Sequence, residues 1–407
     1  MRAVHLTKKA RPLHKLGLYL HLPFCSRICH YCDFVKSALY SEEQKKSYID
    51  SLEHLLDDYI NAWDEIPGAP NQFYSVFWGG GTPSLVTHEI IPIMQKILAH
   101  TRPGAEVTLE ANPEHINEES LKIWASAGIN RISLGVQSFH ERGLKALTRE
   151  HSREKALEAV RLVRKYFPNC NVDLIYGWPG QTEKDWEEDL TLLTKSGATH
   201  ASLYNLTFEG STPFARRVAR GKMEAIDDDR LYGFYETACK MMKDAGYEHE
   251  EVSNWHLPGY EAQHNGLYWH GGSYLALGAG AHSFLEELGR YGTRWQQSGN
   301  WRTFVPEPRS NLQGILTRHY NQIDADRDVE AWILEVVSSG LRTSRGINIS
   351  AIEDKSGYSL EPRPILKQAI DLGLIVRDEK GQLFLNELEW FRETRWSLEV
   401  ALSFIQA

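Results

Sequence analysis

Six short β-type runs, at 17–21, 73–78, 106–110, 130–134, 171–175 and 201–206, alternate with amphipathic stretches at 41–63, 87–99, 117–127, 153–166 and 183–195. This alternation constrains the fold more than any other feature of the chain. Strands separated by a single helix lie side by side in parallel through right-handed βαβ crossovers. Eight such units close a barrel, and six are too few. The pattern therefore predicts an α/β fold, with an open, partial (β/α)6 barrel over residues 1–206. Asn117 ahead of Glu119 and Ser120, and Thr182 ahead of Asp185, put side-chain oxygens and acidic first turns where helices should start.

From 207 to 325 the rhythm lapses and Gly, Trp, Tyr and His crowd in, so an irregular middle region is expected. Order returns over 326–407 as a small α+β end. A helix over 329–341 carries Trp332, Ile333, Val336 and Val337 on one side, a second covers 364–372, and 374–377 with 382–385 form a hairpin around Asp-Glu-Lys-Gly. Helix followed by hairpin resembles a winged-helix module. Such a module can bind DNA, but this one has no basic run. The whole chain is acidic, with 45 Lys and Arg against 54 Asp and Glu, a net charge of −9. Nucleic-acid binding needs a positive field to displace counterions, so no nucleic-acid partner is expected. No apolar run reaches the ~18 residues that span a bilayer. Charges and prolines also interrupt the N-terminal stretch where a signal peptide carries its apolar core. A cytoplasmic protein is expected, with any membrane contact made through a partner.

The cysteines are few and odd in number, which does not suit a disulfide scaffold. Cys170 and Cys239 lie alone and read as buried bystanders. Cys25, Cys29 and Cys32 form C-x3-C-x2-C directly after the first strand. Thiolates this close can hold a soft metal or an iron–sulfur cluster. Structural zinc is the alternative, with His21, His30 or Asp33 as fourth ligand, and plain free thiols are a third reading. Zinc sites usually pair cysteines two by two, and no second C-x2-C exists here. Three cysteines on a four-iron cube leave one iron open to an exogenous ligand.

The chain at this point resembles the radical S-adenosylmethionine (SAM) superfamily, whose hallmark is C-x3-C-x2-C after the first strand of a partial (β/α)6 barrel. Tyr19-Leu-His21-Leu-Pro23-Phe24-Cys25, Gly79-Gly80-Gly81-Thr82-Pro83-Ser84, Glu110-Ala-Asn112-Pro113, Gly135-Val-Gln137-Ser-Phe139 and Asp173-Leu-Ile-Tyr-Gly177-Trp-Pro179-Gly180 are similar to its porphyrin-handling branch, in order along the chain. The resemblance implies a [4Fe–4S] cluster on Cys25, Cys29 and Cys32, with SAM chelating the open iron through its amino and carboxylate groups. It implies SAM contacts from Gly80, Gly81 and Thr82, and along glycines 79–81 the missing Cβ lets backbone approach the methionine part. Glu110, Gln137 and Asp173 end parallel strands, where such folds bind ligands, and Arg149 can fork onto a carboxylate. Tyr19 and Tyr31 flank the cluster and pack on it, on adenine or in the core.

Within this branch, oxygen-independent coproporphyrinogen III dehydrogenases read C-x3-C-x2-C-x-C and carry a longer arm ahead of the cluster. They use a SAM-derived radical to decarboxylate propionates to vinyl groups. Here Cys32-Asp33-Phe34 ends in phenylalanine and 24 residues precede Cys25. Both departures resemble the HemW-type haem chaperones, which read C-x3-C-x2-C-x-F and add H-N-x-x-Y-W, present as His264-Asn265-Gly-Leu-Tyr268-Trp269. That resemblance implies a carrier that binds haem and delivers it to haem-requiring apo-proteins such as respiratory enzymes, and it leaves a homodimer open. His264, with Tyr268 and Trp269 beside it, is the first candidate for haem contact, and His282 the second. Residue chemistry alone favours a structural turn at His264 and Asn265, since 17 histidines are available.

Overall fold

The computed structural model describes residues 15–65, 72–210, 212–304, 320–324 and 327–405. The N-terminal stretch 1–14, read above against a signal peptide, and residues 305–319 of the middle region lie outside them. Strands β1 (Leu16–Leu22), β2 (Phe73–Gly80), β3 (Thr101–Ala111), β4 (Arg131–Gln137), β5 (Asn169–Tyr176) and β6 (His200–Asn205) pair in parallel in chain order. Helices α1 (Glu42–Asn61), α2 (Ile90–Ala99), α3 (Glu118–Ser126), α4 (Glu141–Ala146), α5 (Arg153–Tyr166) and α6 (Glu183–Lys195) make the crossovers. Side chains alternate across a strand. Leu18, Leu20, Val76, Trp78, Leu109, Ile132, Leu134, Val172 and Leu174 are all fully buried in one core with the helices' apolar stripes. Ile49, Leu52, Leu55 and Leu56 supply the stripe of α1 at the i, i+3, i+4 spacing of an amphipathic helix. Asn117 and Thr182 do start helices, each closing a capping box, with Ser120 and Asp185 respectively.

The middle region is more regular than its sequence led us to expect. Helices α7 (Pro213–Ala219) and α8 (Asp228–Asp244) follow β6, and β7 (Glu248–Glu251) and β8 (Asn254–His256) extend that edge antiparallel. After helix α9 (Gln263–Trp269), β9 (Ser273–Leu277) joins β1 in parallel at the opposite edge. Then β10 (His282–Leu285), β11 (Thr293–Gln297) and β12 (Tyr320–Asp324) continue outward antiparallel. The result is a single 12-stranded sheet, with β12 and β7 at its two ends. These added strands are 3–5 residues long, too short for an alternation to register against so many glycines and aromatics.

The C-terminal end runs α10 (Val329–Leu341), β13 (Ile347–Asn348), α11 (Ile349–Ser356), α12 (Pro364–Asp371), β14 (Ile375–Arg377), β15 (Gln382–Leu385) and α13 (Glu393–Ile405). Its three strands form a separate sheet in the order β13-β15-β14, in which β14 and β15 are the hairpin expected. Trp332, Ile333, Val337, Leu366, Leu383, Val400 and Phe404 are continuous with the barrel core. Among the described residues no helix is long and apolar enough to cross a membrane.

Candidate functional site

The cysteine loop is pinned before it begins. Phe24 is fully buried, with its ring 4.7 Å from Tyr40 and 5.4 Å from both Tyr48 and Trp301. Two backbone bonds, Ser37 N–H to Pro23 O (2.6 Å) and Cys25 N–H to Ser37 O (3.0 Å), close loop 23–37 at its base. His21 ties the far side, with Nε2 2.8 Å from Val35 O and Nδ1 3.1 Å from the Tyr19 hydroxyl. Burial pushes the Cys25 thiol up to about 11 and raises Cys32 as well. Tyr19 thus faces His21 and stacks on Phe77 (6.1 Å between ring centres), in the core reading allowed for it above.

The glycine run packs against the base of this loop. Gly81 N–H donates to Leu22 O at 2.7 Å. A Cβ on Gly81 would stand 2.6 Å from Phe24 O and 2.8 Å from Leu22 O, both backbone atoms that no rotamer change can move. Gly80 has φ +111°, which favours glycine, and its N–H donates to Glu110 Oε2 at 3.1 Å. The glycines therefore serve the approach of two loops to each other as well as any approach to a ligand.

Cys25, Cys29, Cys32, Tyr31, Gly80, Gly81, Thr82, Glu110, Gln137, Arg149 and Asp173 line one cavity of about 470 Å³ at the C-terminal ends of the parallel strands. Arg149 spans its wall, donating to Asn112 Oδ1 (2.7 Å), Gly135 O (2.9 Å) and Cys29 Sγ (3.4 Å). Its Nε is buried without a partner, and so is Gln137 Oε1. Gln137 holds φ +69° where β4 shifts register against β5, a conformation that costs a non-glycine residue about 1–2 kcal/mol. Asp173 accepts from Asn171 Nδ2 at 2.6 Å. Burial raises the pKa of Asp173, and burial together with Asp173 raises that of Glu110, to about 8. Phe34 also lines the cavity and is 70% exposed.

His264, Tyr268 and Trp269 lie elsewhere. They sit on α9, which closes the opposite end of the barrel, where the strands begin. Glu106 near the start of that core accepts from the backbone N–H groups of Gln263 (3.1 Å) and His264 (3.0 Å), with Arg131 beside it. His264 is 1% exposed. Its Nδ1 is 2.9 Å from Ser75 Oγ and its Nε2 2.8 Å from the Tyr268 hydroxyl. Burial pushes its pKa down to about 3. Trp269 lies under the Arg342 guanidinium, 4.0 Å away, and His282 is exposed at the start of β10.

Several contributors escaped the sequence reading. Asn112 and Thr148 orient the cysteine wall, the latter by accepting from His30 N–H at 3.1 Å. Ser133, Asn171 and Ser202 form a bonded set beneath Asp173. The signal was present as polar residues at every second position of otherwise apolar strands, Arg131-Ile-Ser133-Leu-Gly135-Val-Gln137 being the clearest.

The profile of the Radical SAM superfamily matches residues 19–193. The Heme chaperone HemW of Escherichia coli (strain K12) is 37% identical over 393 residues, covering 92% of this chain and 97% of that protein. The Heme chaperone HemW of Haemophilus influenzae is 33% identical over 389 residues, covering 92% and 97%. Among solved structures, the coproporphyrinogen III oxidase HemN of Escherichia coli, a radical SAM enzyme, shares the fold. Its TM-score is 0.74 at 21% identity, over 97% of this chain and 91% of that one.

Proposed function

The chain belongs to the HemW haem-chaperone family of the radical SAM superfamily, and from that premise we propose that it carries haem. On this reading it binds a [4Fe–4S] cluster and SAM, and delivers haem to haem-requiring apo-proteins such as respiratory enzymes in the cytoplasm. The observation that carries the cofactor part is the convergence of Cys25, Cys29 and Cys32 on one cavity with the polar strand ends. The residues fit both groups. Both nitrogens of His21, one of the residues that could complete a zinc site, are engaged within the fold, and membership of the family favours a polynuclear cluster over zinc. A cluster there supplies an iron with one position left for an exogenous ligand. The unpaired Gln137 Oε1 and Arg149 Nε, together with the Glu110 and Asp173 carboxyls, offer partners to the ammonium, carboxylate and ribose hydroxyls of SAM.

Phe34, at the position where the dehydrogenases carry a fourth cysteine, supports the carrier over the decarboxylase. Haem contact through His264, Tyr268 and Trp269 requires α9 to leave its seat, because His264 is buried there with its Nδ1 held by Ser75 of β2. One anaerobically reconstituted sample tests the whole reading. A carrier shows a Soret band with added haem and passes haem to an apo-acceptor, and Cys29→Ala removes the broad iron–sulfur absorbance. Vinyl product from coproporphyrinogen, with 5′-deoxyadenosine formed from SAM at steady turnover, would overturn the carrier in favour of the decarboxylase.

A further inference from the structure

A second set of ligand-type side chains lies away from the cavity. Cys239 on α8, His249 on β7 and Glu387 in the turn after β15 each place a donor atom within 4.8 Å of the other two. His249 Nδ1 is 2.9 Å from Glu387 Oε1. The imidazole lies flat against Trp255 (4.0 Å between ring centres, 13°) and edge-on to Trp390 (4.4 Å, 75°), which fixes its plane. Cys239 is 6% exposed, so it offers no approach to a substrate. The Tyr235 hydroxyl donates to the Glu387 carbonyl at 3.3 Å, and this anchors the turn independently of the carboxylate.

The hydrogen-bond count around His249 does not close. Nε2 is buried beside a backbone acceptor on Val252. A neutral imidazole has one N–H to give. With the proton on Nδ1, the bare Nε2 faces an acceptor; with it on Nε2, the Nδ1 lone pair confronts a carboxylate oxygen at 2.9 Å. A cation among Nδ1, the carboxylate and the sulfur removes the conflict and frees Nε2–H for the backbone, the outer partner that metal-bound imidazoles usually have.

We propose that Cys239, His249 and Glu387 bind a zinc ion that ties α8 and β7, at the far edge of the barrel sheet, to the winged-helix module. Thiolate, imidazole and carboxylate form a borderline donor set suited to Zn²⁺, with water completing the tetrahedron on the side of Glu387, whose side chain is 39% exposed. The Cys239 thiol releases its proton to solvent on binding.

The test uses the full chain in which Cys25, Cys29 and Cys32 are changed to serine, so that the loop thiols cannot compete. It is stripped of metal under reducing conditions and titrated with Zn²⁺ or Co²⁺, beside the same chain carrying Cys239→Ala or Glu387→Gln. Co²⁺ should give a near-ultraviolet sulfur-to-metal band, and Zn²⁺ at about 100 times its Kd should raise Tm by roughly 3–5 °C. Cys239→Ala should abolish both effects, and Glu387→Gln should weaken zinc binding about tenfold or more. No zinc uptake, or equal uptake with and without Cys239, overturns the proposal. Should Cys239→Ala fail to fold, an unchanged zinc affinity in Glu387→Gln overturns it.

Discussion

Replacing Glu110 by glutamine tests the electrostatics of the cavity. The carboxyl accepts one N–H, from Gly80, and faces Asp173, while Arg131 is engaged with Glu106. Burial, then Asp173, raise its pKa from 4.5 to about 8. A carboxyl with a raised folded-state pKa has its favourable contribution at low pH, and that contribution is lost as pH climbs from 4.5 through 8. At about 1.4 kcal/mol per unit, the cost of holding Glu110 at pH 7 is at most about 3 kcal/mol. The cavity admits water, so screening halves this to ~1.5 kcal/mol. Glutamine keeps an acceptor for Gly80 and carries no charge. Glu110→Gln should therefore match the parent near pH 5 and exceed it by ~1.5 kcal/mol at pH 7–8. Urea denaturation of the chain free of cluster and SAM, at several pH values, reads the difference. A gap that does not widen with pH, or a variant less stable at pH 8, refutes the reasoning. The same substitution should lower SAM affinity about tenfold, the usual trade when a group is held unfavourably for binding.

Gly81→Ala drives a Cβ into backbone at Phe24 and Leu22 and should cost about 3 kcal/mol by thermal denaturation. Gly233→Ala, in α8 with nothing within 4 Å, should instead stabilise by ~0.5–1 kcal/mol; equal melting of the two variants contradicts the close contact. His264 and His200 are pushed down to about 3 and about 4 by burial. Both are depressed, so the stability they bring is complete above pH 6.5 and lost as pH falls toward 4 and 3. His264→Gln should flatten that acid limb, and an unaltered limb argues against a neutral buried imidazole. If haem binds through His264, amide hydrogen exchange in α9 must speed up when haem is added; a Soret shift with unchanged α9 protection assigns the ligand elsewhere.

The barrel was legible because its strands are long enough for side-chain alternation to show and because Asn117 and Thr182 mark helix starts with local bonds. The cavity was legible because its cysteines are clustered after the first strand and Gly80, Glu110 and Gln137 stand at or close to a glycine or proline that punctuates a strand end. The strands after β6 were not. Their position depends on pairing across long separations, as when β9 returns to β1, and a five-residue run such as Ser273–Leu277 carries no mark of its partner. Cys239 was unreadable for a related reason. Its neighbours His249 and Glu387 come from two other elements, and no spacing rule links residues that far apart. The position of His264 was hidden in the same way, since Ser75 and Glu106 lie far from it in sequence.

That seat decides what the H-N-x-x-Y-W segment can do. Lifting α9 breaks the bond of His264 to Ser75 and removes two backbone N–H donors from the Glu106 carboxylate. At about 1 kcal/mol for the neutral bond and ~2 kcal/mol for each bond to a charge, the loss is about 5 kcal/mol. Uncovering Leu267, buried at 4%, adds ~2 kcal/mol. Tenfold in affinity corresponds to about 1.4 kcal/mol, so ligation by His264 carries an affinity penalty of roughly 10⁵ relative to a site already open. Haem held through this histidine is therefore held weakly unless something else stabilises the open floor. On the proposed carrier function, a histidine buried at the base of the barrel suits release of haem, because the refolding of α9 onto Glu106 would compete with the ligand.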